Sequence, residues 1–139
     1  MLQDVIKQWE ENKHKLEDYF RTTKQDEYDE YEKIVKKIVE IISTDGYNGC
    51  DYDATKITVV DNGSYQGTLI FLIPTDTYQP SIEDYLITHT YYGSCSGCDT
   101  LQGIIGYNWE LPYEEQVKDY MTLALHLVQK MYRIKDTNE

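Results

Sequence analysis

Three runs of β-branched and aromatic residues fill the middle of the chain, and they constrain the fold more than any other feature. They cover residues 56–60, 67–73 and 85–92. The first two runs are separated by Asp61-Asn62-Gly63-Ser64, and an Asn-Gly pair between two such runs predicts a tight hairpin turn. Pro74 and Pro80 bracket the connection to the third run. The pattern therefore predicts a three-stranded antiparallel meander within residues 50–92.

Helical periodicity lies on both sides of this meander. Residues 2–20 and about 26–43 carry apolar side chains three and four positions apart, and the polar segment 21–27 separates them. A helical hairpin within residues 1–44 is the favoured interpretation, and one bent helix is the alternative. A short helix over 97–105 and a long C-terminal helix over 113–134, predicted to be the most buried of the four, complete the order α-α-β-β-β-α-α. We expect a single α+β domain over residues 1–139.

The chain is strongly acidic. It has 25 Asp and Glu residues against 13 Lys and Arg, which gives a net charge of −12. Nucleic acid is a poor direct partner for such a chain, because affinity for phosphate comes from Lys and Arg, whereas a basic protein is attracted. No apolar run approaches the length of a membrane span and the N-terminus lacks a signal-peptide pattern, so we expect no membrane association and a cytoplasmic location.

Acidic side chains are concentrated on the polar side of the N-terminal hairpin. We predict that a protein partner binds there, with tyrosine-rich surface contributing to the contact, since the chain has 14 tyrosines. The alternative is that these carboxylates only keep the protein in solution. The predicted partner-binding residues are Glu10, Glu11, Glu17, Asp18, Asp26, Glu27, Asp29 and Glu30.

Two thiols spaced C-x-x-C follow the third predicted strand. The segment is Gly93-Ser94-Cys95-Ser96-Gly97-Cys98-Asp99. Ser96 is the predicted N-cap of the helix over 97–105, and the side chain of Asp99, three residues later, is predicted to bond back to the N-cap backbone. Orphan amides at a helix N-terminus stabilise a thiolate. This junction resembles the active-site junction of the thioredoxin family, but only over residues 86–105, and nothing after Cys98 has the pattern of that family's later strands. Thiol-redox chemistry is therefore an alternative.

A zinc site is the second alternative for the same loop. Its candidate ligands are Cys50, His89, Cys95 and Cys98. In a meander Cys50 lies at the start of the first strand and Cys95 at the end of the third, which separates them by roughly 16 Å even for five-residue strands. We therefore expect no cofactor or metal, and interpret the thiols as small buried residues of a tight turn. No G-x-S-x-G, P-loop, H-E-x-x-H or EF-hand motif occurs, so the sequence favours a non-enzymatic protein.

Two segments carry a resemblance to known proteins. Tyr92-Gly-Ser-Cys-Ser-Gly-Cys-Asp-Thr-Leu-Gln102 and Asp119-Tyr-Met-Thr-Leu-Ala-Leu-His-Leu-Val-Gln-Lys-Met131 resemble a group of small, functionally unassigned bacteriophage-encoded proteins, chiefly of Gram-positive hosts. The resemblance implies a phage accessory protein in the bacterial cytoplasm. It implies a host protein as partner, with a nucleic-acid-binding protein as one candidate, and inhibition of host machinery or of host defence as the outcome. The oligomeric state, monomer or homodimer, stays open.

Overall fold

The computed structural model describes residues 3–24, 31–43, 52–63, 66–93, 99–106 and 110–136. The helices are α1 (Gln3–Thr22), α2 (Tyr31–Ile42), α3 (Thr100–Ile105) and α4 (Glu114–Gln129). The strands are β1 (Thr58–Gly63), β2 (Gly67–Ile73), β3 (Leu86–Tyr92) and β4 (Tyr132–Arg133). Short 3₁₀ turns cover Ile82–Asp84 and Ile134–Asp136. The predicted α+β class is confirmed.

Helices α1 and α2 form the predicted pair and pack against each other. The helical backbone of α1 stops at Thr22, and Thr23 and Lys24 are not helical, which excludes a single bent rod across this point. Each helix buries one stripe of apolar side chains, spaced as the sequence predicts. The buried residues are Val5, Trp9, Leu16 and Phe20 in α1 and Tyr31, Ile34, Val35, Ile38, Val39 and Ile42 in α2.

Helix α4 packs against both helices of this pair. The rings of Phe20 and Tyr120 stack with centroids 4.9 Å apart and fix α4 against α1. The prediction that α4 is the most buried helix is wrong, because α2 buries six of its 12 residues and α4 buries six of 16. The predicted end at residue 134 is also wrong. The helix ends at Gln129, and the next residues leave it to join the sheet.

The four strands form one antiparallel sheet in the order β1-β2-β3-β4. The first three strands are the predicted meander. The fourth strand was not predicted: Tyr132 pairs with Ile87 and Arg133 with Leu86. Arg133 also forms an ion pair with Asp4 at the start of α1, with Nη1 and Oδ2 3.2 Å apart. The segment after α4 therefore connects the sheet to the first helix.

The first hairpin turns later than predicted. Asn62 and Gly63 belong to β1 and pair with Thr68 and Gly67, so the turn follows Gly63. Glycine is needed on both strands because the backbones approach closely here. A Cβ on Gly63 would lie 2.2 Å from the carbonyl oxygen of Gln66, and one on Gly67 would lie 2.5 Å from that of Asn62. This close approach lets the ladder continue through the Asn-Gly pair.

Helix α3 begins at Thr100, three residues after the predicted start. Its N-cap is Asp99, whose side chain accepts a hydrogen bond from the backbone nitrogen of Gln102. The prediction of Ser96 as the N-cap is therefore wrong for this helix. Gly106 ends the helix with a φ of 56°, in the left-handed region that glycine adopts without strain. The side-chain nitrogen of Gln116 donates to the carbonyl oxygen of Ile104 at 2.9 Å and so joins α4 to the end of α3.

The helices cover one face of the sheet. Along β2 and β3 the residues of this face alternate with those of the other, and Phe71, Ile73 and Leu86 are fully buried against the helices. Thr88, also on this face, donates its hydroxyl to the carbonyl oxygen of Leu127 at 2.7 Å. The buried residues of all four described helices belong to this one core. Within the described ranges, no helix is both long and apolar enough to cross a bilayer.

Candidate functional site

Four of the predicted partner-binding residues lie on α1. Glu10, Glu11 and Asp18 are exposed and Glu17 is half-buried, so this side of the helix presents carboxylates to solvent. The other four, Asp26, Glu27, Asp29 and Glu30, lie outside the described residues. The described carboxylates form two pairs seven residues apart, Glu10 with Glu17 and Glu11 with Asp18, and this spacing places each pair on the same side of the helix, two turns apart.

Basic side chains neutralise part of this acidic face. Lys13 Nζ lies 2.9 Å from Glu10 Oε2. Arg21 contacts three carboxylates: it pairs with Glu17, its Nη1 is 3.3 Å from Asp18 Oδ1, and its Nε is 2.8 Å from Glu114 Oε1 on α4. The hydrogen bond from Arg21 lowers the pKa of Glu114, and the hydrogen bonds to Glu114 and Glu17 raise the pKa of Arg21. The face is therefore one of mixed charge, with an acidic excess.

A groove lies between α1 and α4 beside these carboxylates. Its volume is about 370 Å³. Trp9, Met121 and Leu125 supply the apolar part of its lining. The polar part of the lining is Glu10, Lys13, Glu17, Lys118 and Thr122. A groove with an apolar floor and a charged rim is the usual form of a site for a protein side chain or peptide segment, because the floor provides burial and the rim provides orientation.

A buried hydrogen-bond network holds the two described ends of the thiol loop. The carboxylate of Asp99 is 5% exposed and accepts three hydrogen bonds. Tyr31 Oη donates to its Oδ1 at 2.9 Å, the backbone nitrogen of Gln102 donates to the same oxygen at 3.1 Å, and that of Gly93 donates to Oδ2 at 2.8 Å. Burial, followed by the contact with Asp99, raises the pKa of Tyr31 above its usual value. Gly93 and Asp99 are thereby fixed to each other and to α2.

The zinc and redox alternatives stay predictions. Cys50, Cys95 and Cys98 lie outside the described residues. His89 lies on β3, paired with Ile70, on the sheet face that the helices do not cover, whereas Asp99 is joined to α2 on the covered side. In the part of the chain that the structure describes, no three His, Cys, Asp or Glu side chains form a group suited to a metal ion.

Tyrosine serves both the core and the surface. Tyr31, Tyr52 and Tyr120 are buried. Four others are among the exposed large hydrophobic residues: Tyr78, Tyr91, Tyr113 and Tyr132. These four are dispersed over the connection after β2, strand β3, the start of α4 and strand β4. Exposed tyrosines therefore occur on several surfaces, with Tyr113 next to Glu114, the partner of Arg21, and the contribution of tyrosine to partner binding stays a prediction.

Sequence reasoning missed two features of the site. Trp9, Met121 and Leu125 belong to the apolar spacing from which the helices were predicted, yet they also line the groove. Met121 and Leu125 are half-buried, at the border of the α4 apolar stripe next to the charged Lys118. An apolar stripe that is wide and ends beside charged residues is a sequence signal that could have predicted the α4 side of this groove. Tyr31 and Asp99 lie 68 residues apart, and no local pattern joins them.

The described residues thus define an α+β domain with a helical layer on one side of a four-stranded antiparallel sheet, and with a charged groove in the helical layer. No family model, curated protein or solved structure matches the chain.

Proposed function

We propose that this chain is a non-enzymatic binding domain that engages a basic protein partner through α1 and the α1–α4 groove. The observation that carries the proposal is the position of the groove: its apolar floor lies directly beside exposed carboxylates of a chain with a net charge of −12. An apolar floor supplies burial, and surrounding carboxylates attract and orient a positively charged surface. With the resemblance to phage-encoded proteins, the proposal includes a bacterial host protein as partner, such as one that binds nucleic acid.

The charge pattern predicts how such a partner binds. Carboxylates at the rim, such as Glu10 and Glu17, mainly increase the association rate, and salt screens their effect. Apolar residues of the floor, such as Leu125, are desolvated in the complex and mainly determine how slowly it dissociates. Binding through this site is therefore expected to weaken as salt is raised, and to lose affinity when either the rim or the floor is changed.

The test compares two charge reversals of equal size. The wild type, the double variant Glu10→Lys/Glu17→Lys and the control Asp76→Lys/Glu83→Lys are each used to capture proteins from a bacterial lysate at low and raised salt. Asp76 and Glu83 are also exposed but lie outside the groove, so both variants change the net charge equally. A captured protein identified by mass spectrometry is then purified and titrated by calorimetry.

The expected result is at least a tenfold loss of affinity in the Glu10/Glu17 variant relative to the control variant, and a loss of affinity also for Leu125→Ala. Equal affinity of the two charge-reversal variants would mean that only net charge matters, and it would contradict a site at the groove. A wild type that retains no protein at either salt would contradict the binding function itself.

A further inference from the structure

The sheet has a second face, which the helices leave uncovered. Ile87 is 7% exposed, but it is not part of the core that the helices form. Ile70 and Leu72, its neighbours on β2, are half-buried and also do not pack against that core. Since alternate residues of a strand point to opposite faces, these three side chains lie on the face away from the helices.

The strand register shows which residues share this outer face, because directly paired residues of an antiparallel sheet point to the same side. Val60 is level with Ile70 and His89, and Leu72 is level with Ile87 and Tyr132. On the loop side, Tyr91 is level with Thr68. Several of these side chains are open to solvent: Val60 is 43% exposed, Tyr91 68% and Tyr132 41%.

No residue of the outer face in β1, β2, β3 or β4 is Asp, Glu, Lys or Arg, although such residues make up 27% of the chain. The strand positions that are not apolar hold Thr, Asn, His and Tyr. The solvent-facing side of an antiparallel sheet normally carries polar residues, while the apolar residues of each strand face the core. A contiguous apolar and aromatic surface without charge is instead typical of the centre of an interface.

We propose that this outer face binds a second copy of the chain, giving a two-fold dimer that packs sheet against sheet. In such a contact each patch meets itself, so every charge near the axis would face a like charge. Two copies that each carry a net charge of −12 repel, and a surface without carboxylates is where they can meet at the lowest electrostatic cost. A basic partner, by contrast, gains nothing from a surface that offers it no carboxylate.

The size of the face sets the strength of the dimer. Strands of six or seven residues extend about 20 Å, and four strands cover about 15 Å across, so each copy contributes roughly 300–400 Å². Two copies bury less than the ~1,200 Å² of stable complexes, which predicts a dimer that dissociates on dilution. Because α1 lies on the other side of the sheet, the dimer leaves both α1–α4 grooves accessible. The inference therefore goes beyond the proposed function and does not depend on it.

Sedimentation velocity from low micromolar to near-millimolar concentration tests the dimer. The wild type is expected to shift from the 16.4 kDa monomer toward twice that mass as concentration rises. Raising the salt should favour the dimer, because it screens the repulsion between copies. Val60→Glu and Tyr91→Glu place carboxylates on the exposed part of the face and should keep the chain monomeric. Tyr78→Glu, at a tyrosine that is 96% exposed and outside the strands, is the matched control and should behave as the wild type.

A second measurement keeps the test valid if a variant folds poorly. Amide chemical shifts of the wild type are followed as concentration rises, and the changes are expected in β1, β2 and β3. A wild type that stays monomeric throughout would overturn the proposal and leave the face to a different partner. Shift changes confined to α1 and α4, a dimer that persists in both glutamate variants, or one that dissociates as salt is raised would overturn it as well.

Discussion

Tyr31 Oη donates a hydrogen bond of 2.9 Å to Asp99 Oδ1, and this contact joins α2 to the residue that caps α3. The same hydroxyl accepts a hydrogen bond of 3.1 Å from the backbone nitrogen of Leu101. The phenol therefore serves as donor and acceptor at a buried carboxylate. Because Asp99 also accepts a hydrogen bond from the backbone nitrogen of Gly93, one tyrosine on α2 supports both the end of β3 and the start of α3.

Removal of this hydroxyl should destabilise the fold strongly. Tyr31→Phe leaves the ring in the core but deletes two hydrogen bonds, one of them to a carboxylate, so we expect a loss of about 2–3 kcal/mol in the free energy of unfolding. Urea denaturation at neutral pH measures it. Tyr19→Phe is the control, because the Tyr19 ring is half-buried against Phe20 and Lys37. This variant should lose less than about 0.5 kcal/mol in the free energy of unfolding. Equal losses of unfolding free energy in the two variants would show that the hydrogen bonds between Tyr31 and the Asp99 network contribute nothing to stability.

The same pair predicts how stability changes at alkaline pH. The pKa of Tyr31 is raised above the ordinary value of 10, so the folded state holds the phenol proton more tightly than the unfolded state does. The stabilisation is fully present below pH 10 and is lost as pH rises above it toward the folded pKa. The difference in unfolding free energy between wild type and Tyr31→Phe should therefore be constant from neutral pH to about pH 10 and then shrink. A difference that grows above pH 10 would contradict the predicted sign.

The close pairing of Gly63 and Gly67 predicts an unusual sign for a glycine substitution. Gly→Ala in an unstrained position stabilises by about 0.4–1 kcal/mol through the unfolded state. At Gly67 the added Cβ would lie 2.5 Å from the backbone oxygen of Asn62, which cannot move without disturbing the strand pairing. We expect Gly67→Ala to destabilise by about 1–3 kcal/mol. Gly103→Ala, on the exposed side of α3, is the control and should stabilise the protein. Thermal unfolding of both variants shows whether each change raises or lowers stability relative to the wild type.

Arg21 should control the acidity of Glu114. The hydrogen bond between them lowers the pKa of Glu114 below its ordinary value of 4.5, so the interaction is present above pH 4.5 and is lost as pH falls through the lower, folded pKa. Arg21→Gln should return the pKa of Glu114 toward 4.5, as measured by carbon NMR of the side-chain carboxyl. Lys13→Gln, which removes the partner of Glu10 instead, should leave the pKa of Glu114 unchanged. The effect of Arg21→Gln on stability should be small, because these side chains are exposed.

Local patterns predicted most of the elements but not their ends. The β-branched runs located β2 to the residue, and the apolar spacing located α1 and α2. Tyr132 continues the apolar spacing of α4, so it was assigned to the helix, although it pairs with Ile87 in the sheet. Strand pairing between distant segments is a tertiary property, and a two-residue strand carries no periodicity of its own.

The two errors in turn chemistry also have a physical cause. Asn62-Gly63 is a strong local turn signal, but Gly63 faces Gly67 on the partner strand. Two facing glycines let the backbones approach closely, so the strand pairing includes Asn62 and Gly63. Ser96 with Asp99 fits a capping box, but Asp99 has stronger partners as the cap itself: Tyr31 and Gly93 bind its carboxylate from outside the helix. The acidic side of α1 could be predicted from the sequence. The α1–α4 groove could not, because it depends on which helix packs beside α1.

The ion pair between Arg133 and Asp4 spans 129 positions of sequence. Contacts of such separation form late, because the chain must lose the freedom of the whole intervening loop before they contribute. During synthesis on the ribosome, α1 and α2 therefore emerge long before β4 can pair with β3. The growing chain must carry an incomplete sheet until β4 has emerged, and chaperone binding or transient clustering of nascent chains is expected in that interval.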